Sequence, residues 1–188
     1  MYNLYMSNFF IILAAGKSER FNSSIPKPYV IYKGKPIVQH SIDKAKKCQK
    51  IEKILLVVNK KHKNFIKTLN TKKVKIIYGG KTRSESSFLA LQSIRKERVK
   101  NILIHDAARP NFSLKLLNKL ISELKKNKSV VPTIKTKDSV KFKNRNLIIN
   151  IDRDYIYLTQ TPQAFDYKEL CKLHNNKSSK ITDDANLF

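Results

Sequence analysis

The sequence predicts an α/β domain, a mostly parallel sheet with helices on both faces, and three observations carry that prediction. Phe9–Leu13 and Ile54–Val58 are unbroken apolar runs, as expected of strands buried on both faces. Between such runs lie stretches with apolar residues at helical spacing and lysine on the far side, so strand and helix alternate. The length of 188 residues suits one domain with a sizeable core, burying about 70% of the surface that the unfolded chain exposes.

Each element follows from its own pattern. The first strand, Phe9–Leu13, runs into Ala14-Ala15-Gly16, whose small side chains leave the backbone open to a ligand. Ile37–Cys48 carries Ile37, Val38, Ile42 and Ala45 on a helical stripe. Ile54–Val58 is the second strand, and Lys61–Leu69 a helix with Phe65, Ile66 and Leu69 inward. Val74–Tyr78 is the third strand, terminated by Gly79-Gly80. Ser84 or Ser86 is placed to cap a helix running to Ile94. Asn101–His105 is the fourth strand and ends in Asp106. Ser113 then opens a helix with Leu116, Leu117, Leu120, Ile121 and Leu124 on one face, and Ser129–Thr133 is the fifth strand. Two regions break the alternation. Residues 135–150 read as a hairpin, Ser139–Phe142 and Leu147–Ile151 around Lys143-Asn144-Arg145-Asn146. Near the end, Thr182 stands as a helix cap before Asp183-Asp184-Ala185.

The formal charge is +25, which ordinarily points to nucleic acid or an acidic membrane surface. Here the excess comes from 32 lysines against 7 arginines, alongside 21 isoleucines and 16 asparagines. The lysines run from Lys17 to Lys180, as much a compositional bias as a binding stripe. Diffuse charge supplies polyanion affinity without base readout, so no dedicated nucleic-acid partner is expected. Cys48 and Cys171 stand far apart with no CxxC or Cys/His cluster, which indicates neither a disulfide framework nor a zinc site. No Lys or Arg precedes the first apolar run, and that run is too short for a signal-peptide core or a membrane span. A soluble cytoplasmic protein without a membrane partner is the expectation, with Met1 or Met6 as its start.

Polar residues gather where strands end, which is where open α/β sheets bind ligands. Ala14-Ala15-Gly16-Lys17-Ser18-Glu19-Arg20, followed by Pro26-Lys27-Pro28, reads as a phosphate cradle. Turn N–H groups with Arg20 and Lys27 suit a triphosphate. It is not a Walker A loop, because Ile11 stands where that loop needs a glycine. An ordinary strand-to-helix turn with surface charges is the plain alternative. After the third strand, the Gly79-Gly80 pair would admit a flat base or ribose against the backbone. After the fourth, Asp106 and Arg109 flank Ala107 and Ala108; a solvated ion pair is the alternative there, and His105 reads as structural. Asp152-Arg153 and Thr159-Gln160-Thr161-Pro162-Gln163 offer a guanidinium, a hydroxyl and an amide to an anionic substrate.

Taken in order, these elements resemble the cytidylyltransferase family that transfers CMP from CTP to 2-C-methyl-D-erythritol 4-phosphate in non-mevalonate isoprenoid synthesis. The match comprises Leu13-Ala14-Ala15-Gly16 with Arg20, Pro26-Lys27, Gly79-Gly80 with Arg83 and Ser86, His105-Asp106-Ala107-Ala108-Arg109-Pro110, Asp152-Arg153, Thr161-Pro162-Gln163 and Thr182-Asp183-Asp184-Ala185. It spans essentially the whole chain, and the HDAARP run with its companions in order is its most specific part. The resemblance implies a Rossmann-like nucleotidyltransferase domain over residues 1–188, with a hairpin arm at about 135–150 through which a homodimer forms. It implies that Ala14, Ala15, Gly80, Lys81 and Ser86 hold cytosine and ribose, with Asp106 and Ala107 near the sugar and Asp106 the candidate metal ligand. Gly16, Arg20 and Lys27 would cradle the triphosphate, with Mg²⁺ bound mainly through the CTP phosphates. Arg153 and Thr161 would position the methylerythritol phosphate. Arg109 and Ser139, where the family usually has threonine, would reach it from a second subunit. Arg20, Lys27 and Arg153 are thus the catalytic candidates.

These residue types agree with the reaction. A phosphate monoester has its second pKa near 6 and is already an ionised nucleophile at neutral pH, so no general base is required. The resemblance further implies roughly 40 residues beyond the Thr182–Ala185 segment, as domains of this class run longer, including a lysine that touches both substrates. Such a tail is absent from the sequence, which would leave CTP binding weakened and the acceptor poorly aligned. A ribitol-5-phosphate cytidylyltransferase shares fold and cradle and is the alternative enzyme; an inactive fragment or polyanion-binding protein is the alternative outside enzymes.

Overall fold

The structure is a computed structural model that describes residues 7–16, 21, 23–175 and 183–188. In chain order it contains β1 (Asn8–Ala14), β2 (Ile31–Tyr32), β3 (Lys35–Pro36), α1 (Ile37–Lys46), β4 (Ile51–Val58), α2 (Lys63–Ile66), β5 (Val74–Tyr78), α3 (Arg83–Gln92), β6 (Asn101–Asp106) and α4 (Leu114–Glu123). There follow β7 (Ser129–Val130), β8 (Thr133–Lys135), β9 (Val140–Asn144), β10 (Leu147–Ile151), β11 (Tyr157–Thr159), β12 (Gln163–Asp166) and α5 (Tyr167–Asn175).

The main sheet has the order β5-β4-β1-β6-β12-β7. Its first four strands are parallel, and β12 is antiparallel to both β6 and β7, so that β7 runs in the direction of the first four. The apolar run of β1 makes it central, because both of its faces are covered. Phe10, Ile12 and Ala14 join Leu56 and Leu103 against Val38 and Ile42 of α1 and Leu117 and Leu120 of α4. Phe9 and Ile11 join Leu55, Val57, Ile102 and Ile104 against Ala90 and Leu91 of α3 and Leu170 of α5. The period-two alternation of each strand thus feeds two cores, and each fully buried Leu, Ile or Phe contributes about 1.5–3 kcal/mol. The fold is an α/β Rossmann-like one, as expected.

The chain runs outward from β1 through β4 to β5 and then returns to place β6 on the other side of β1. That reversal opens a crevice at the carboxyl ends of β1 and β6, where Leu13 lies level with Asp106.

Four expectations need correction. The cap of α3 is Thr82, whose hydroxyl accepts from the Glu85 N–H, rather than Ser84 or Ser86. The helix starts at Arg83, so Ser84 and Ser86 are already inside it and buried. Lys61–Leu69 is not one helix but a 3-10 turn at Lys60–His62 followed by the four-residue α2. The fifth strand divides into β7 and β8 because Pro132 lacks an N–H to continue a ladder. Finally, β12 was not foreseen, since Gln163 and Asp166 bracket only two apolar residues. Ser113 does cap α4, its hydroxyl accepting from the Leu116 N–H.

The hairpin exists as β9 and β10 paired Leu147↔Asn144 to Ile151↔Val140, with Arg145 at φ 51° in the turn. It stands apart from the main sheet, as does the ribbon of β8 and β11.

Candidate active site

The cradle begins where β1 ends. Ala14 and Ala15 are buried and Gly16 is exposed, so the chain emerges from the core there. Asn59, just past β4, donates from Nδ2 to the Ala15 carbonyl at 3.4 Å. Lys27 opens the 3-10 turn Lys27–Tyr29 and lies exposed, its ammonium 5.9 Å from the Phe21 ring centre. Arg20 and Thr182 lie outside the described residues.

Gly79 meets this end of β1 at close range. A Cβ on Gly79 would lie 2.5 Å from the Ala15 Cβ and 2.7 Å from Ser86 Oγ, so only glycine fits. The neighbouring Gly80 N–H donates to Ser86 Oγ at 3.2 Å, and Ser86 donates to the Thr82 carbonyl at 2.9 Å. The Lys81 N–H donates to Glu85 at 2.7 Å. Ser86 therefore shapes the turn beside the predicted base site, its proton already committed.

At the end of β6 the geometry is tighter. His105 is fully buried and lies 3.0 Å from Thr161 Oγ1 through Nδ1 and 3.2 Å from Ser41 Oγ through Nε2. Burial, then the Arg109 charge, pushes its pKa down to about 3, so the ring is neutral and structural. Thr161 is buried and also accepts from the Asp106 N–H at 3.3 Å, so its hydroxyl holds the base of Asp106. The buried Ala107 donates its N–H to the Leu13 carbonyl at 3.0 Å, tying the two strand ends together. Lys44 of α1, expected on the solvent side of its helix, instead donates to the carbonyls of Pro110 and Phe112 and pins this loop. Burial lowers its pKa.

The Asp106 carboxylate is paired with two guanidinium groups. Arg83 Nε is 3.2 Å from one oxygen and Arg109 Nε 3.4 Å from the other. Arg109 reaches on to Gln160 Oε1 at 3.0 Å and the Thr159 carbonyl at 3.4 Å. Arg83 reaches the other way, to the fully buried Asp184. Asp184 also accepts from Ser87 at 3.1 Å and pairs with His174 at 3.0 Å. Burial alone would raise the Asp184 pKa, but the His174 hydrogen bond and the Arg83 charge outweigh it and hold it low. Arg83 and Asp184 were absent from the predicted site. The available signal was that both stand in the motifs that carry the family resemblance, Arg83 beside Gly79-Gly80 and Asp184 within Thr182–Ala185.

Of the acceptor-side candidates, Arg153 lies exposed in the 3-10 turn Arg153–Tyr155 and donates to the Lys137 carbonyl at 3.1 Å. Ser139 is exposed just before β9. The fold thus brings together Ala14–Gly16, Gly79–Ser86, Asp106–Arg109 and Thr159–Thr161. Ser139 stands on the arm, and Arg153 in the turn just after it.

This arrangement has relatives. The model of the family described as IspD, 2-C-methyl-D-erythritol 4-phosphate cytidylyltransferase, matches residues 9–188. The chain belongs to that family. A bifunctional IspD/IspF enzyme of Pelagibacter ubique is 64% identical over 183 residues, covering 97% of this chain and 49% of that enzyme. A 2-C-methyl-D-erythritol 4-phosphate cytidylyltransferase of Clostridium tetani is 37% identical, covering 95% of this chain and 76% of that protein. This member of the family thus spans about half the length of the bifunctional relative and about three quarters of the clostridial one. Among solved structures, the 4-diphosphocytidyl-2C-methyl-D-erythritol synthase of Anaerococcus prevotii superposes with a TM-score of 0.85 at 32% identity. The alignment covers 98% of this chain and 82% of that one. The chain thus has the family membership and the α/β fold that its motifs implied.

Proposed function

We propose that the crevice transfers CMP from CTP to 2-C-methyl-D-erythritol 4-phosphate, releasing pyrophosphate. The observation that supports this most is Asp106, held between two arginines at the switch point of the sheet. The glycine and alanine turns lie toward one side of it and Arg109 with Thr159–Thr161 toward the other.

In this reading the acceptor phosphate, dianionic at neutral pH, attacks the α-phosphorus of CTP and the bond to the β-phosphate breaks. Negative charge grows on the α-phosphate oxygens and on the departing pyrophosphate. Arg20, Lys27 and the N–H groups of the Ala14–Gly16 turn are the proposed stabilisers, and Arg153 aligns the acceptor. The backbone at Ala14, Ala15 and Gly80, with Lys81 and Ser86, is proposed to read cytosine. Among the described residues, no three His, Cys, Asp or Glu side chains come together as a metal cage. A Mg²⁺ is proposed to be carried mainly by the CTP phosphates, with the Asp106 carboxylate and Ala107 beside it at the sugar. When bound, the ion neutralises phosphate charge.

The arm supports a homodimer. Register places Val140, Phe142, Leu147, Ile149 and Ile151 on one face of the hairpin, and Phe142, Leu147 and Ile149 are exposed. An apolar ribbon with two free edges is covered most simply by a second copy, which would bring Arg109 and Ser139 to a neighbouring acceptor. Among the described residues no helix is long and apolar enough to cross a membrane, and a cytoplasmic location is proposed with the activity.

The test is pyrophosphate release, with CTP, UTP, ATP and GTP each paired with methylerythritol phosphate and ribitol 5-phosphate. Release is expected with CTP and methylerythritol phosphate. Equal competition by ATP overturns the nucleotide assignment, and faster release with ribitol 5-phosphate overturns the acceptor.

A further inference from the structure

We infer that Arg83 is a positioning residue that divides the Asp106 carboxylate between two guanidinium groups and thereby leaves Arg109 available to the acceptor phosphate. This inference rests on the proposed CTP-dependent reaction.

The placement of Arg83 needs a reason. It is the first residue of α3, where exposed N–H groups already make the potential positive, and a cation there is disfavoured. Two carboxylates compensate. The Asp184 side chain is fully buried, and three groups converge on it: Arg83 Nη1, Ser87 Oγ and His174. An anion so placed has little freedom to turn. Arg83 is thus anchored at one end, and its Nε meets Asp106 at 3.2 Å on the other. Burial works against the charge on Arg83, and Asp184 followed by Asp106 more than restores it.

Asp106 is the shared member. Its second oxygen faces Arg109 Nε at 3.4 Å, a longer and more exposed contact. While Arg83 neutralises Asp106, that carboxylate has less pull on Arg109, whose Nη1 instead reaches toward Gln160 Oε1. Without Arg83 the same carboxylate has one guanidinium left to pair with. It would draw Arg109 inward, away from an incoming phosphate, and a like-charged pair of anions would then compete for one arginine. The row Asp184–Arg83–Asp106–Arg109–Gln160 crosses the crevice. Because Asp184 begins the 3-10 turn Asp184–Leu187, the seating of that turn and the setting of Arg109 are coupled through Arg83.

The experiment compares wild type with Arg83→Gln, Arg83→Lys and the double variant Arg83→Gln with Asp106→Asn. In Arg83→Gln the KM for methylerythritol phosphate should rise about 10-fold or more, with the KM for CTP changing less than about 3-fold. Adding Asp106→Asn should lower the acceptor KM from its Arg83→Gln value, whatever it does to CTP binding at the sugar, because the competitor for Arg109 is gone. Arg83→Lys keeps the charge but loses the fork that reaches two carboxylates, and should fall between. The Nε–H NMR signal of Arg109 reads the geometry without turnover: it should shift in Arg83→Gln, where the Asp106 carboxylate pairs with Arg109 alone, and move the opposite way in the double variant, where that carboxylate is gone. That signal separates failure of this inference from failure of the catalytic reading. An unmoved Arg109 signal overturns the inference, as does a fall in kcat with both KM values unchanged.

Discussion

At the crevice, Ala14, Ala15, His105, Ala107, Thr161 and Asp184 are buried, and the polar ones among them are bonded to one another or to neighbouring side chains. In the hairpin arm and the β8–β11 ribbon, Ile134, Phe142, Leu147, Ile148, Ile149 and Tyr157 are all exposed, on two-stranded ribbons that pair only within themselves. Within one chain the described loops of the crevice are fastened by Lys44, Thr161 and Arg83 to three different elements. An isolated two-stranded ribbon is marginal in water, so the arm requires further covering to be equally well defined. The contrast separates two kinds of contribution, one that fixes charges in place and one that recruits a neighbour. Substitutions in each should fail in different ways.

The largest effect is expected in the cradle. Lys27→Ala and Arg20→Ala should each lower kcat by on the order of 10² or more, about 2.7 kcal/mol of transition-state stabilisation, with the melting temperature nearly unchanged. Steady-state kinetics beside a thermal melt would expose an error, since near wild-type rates would remove both residues from the mechanism.

In the arm the order reverses, and assembly should fail before chemistry does. Phe142→Lys with Ile149→Lys, both on the apolar face, should yield a monomer by light scattering and lower activity by about 10-fold, through lost alignment at the partner's site. A wild-type protein that is itself monomeric would contradict the proposed dimer. Ile148 offers the internal control, because register places it opposite Lys143 on the other face. Ile148→Lys should leave both mass and stability within about 0.5 kcal/mol of wild type.

Between these lies a stability effect confined to the crevice. The His105 pKa is about 3 in the fold against 6.5 for a free side chain. The unfolded chain therefore binds the extra proton across that window. His105 contributes stability that is fully present above pH 6.5 and is lost as pH falls toward 3, at up to about 1.4 kcal/mol per pH unit. Denaturant melts of wild type and His105→Gln at several pH values would check this, the variant being less stable at pH 7 but flatter toward acid. Parallel pH dependences would show that the ring is not held neutral. The smallest crevice effect should come from Thr161→Val, about 1–3 kcal/mol, for leaving the His105 Nδ1 and the Asp106 N–H without their hydroxyl partner.

How much of this could be read from the residues depends on how far apart the partners are. The parallel strands were legible because burial on both faces leaves only apolar side chains, as in Phe9–Leu13. The strand β12 was not, because one edge of its ladder is formed with β6 and its sequence mixes Gln163 and Asp166 with two apolar residues. The pattern points to Ser84 or Ser86 as the cap of α3, whereas the choice of Thr82 depends on where the turn after Gly79 lets the helix begin. In the site, the Asp106–Arg109 pair is local and could be seen at three residues' spacing. The Arg83–Asp184 pair joins residues 101 apart, and no periodicity connects them. Lys44 was misjudged for a related reason. Its long stem lets the ammonium cross to the Pro110 loop from a helix face that pattern alone assigns to solvent.

The central claim is that phosphate charges from two substrates meet at the Asp106 end of β6, and ³¹P NMR of the protein with CTP, Mg²⁺ and methylerythritol phosphate tests it most directly. The CTP resonances should decline as two new diphosphate species grow in equal amounts, one of them free pyrophosphate and the other carrying both CMP and the acceptor. CTP that stays intact in the presence of folded protein, or that is merely hydrolysed to CMP and pyrophosphate with the acceptor unchanged, would contradict it.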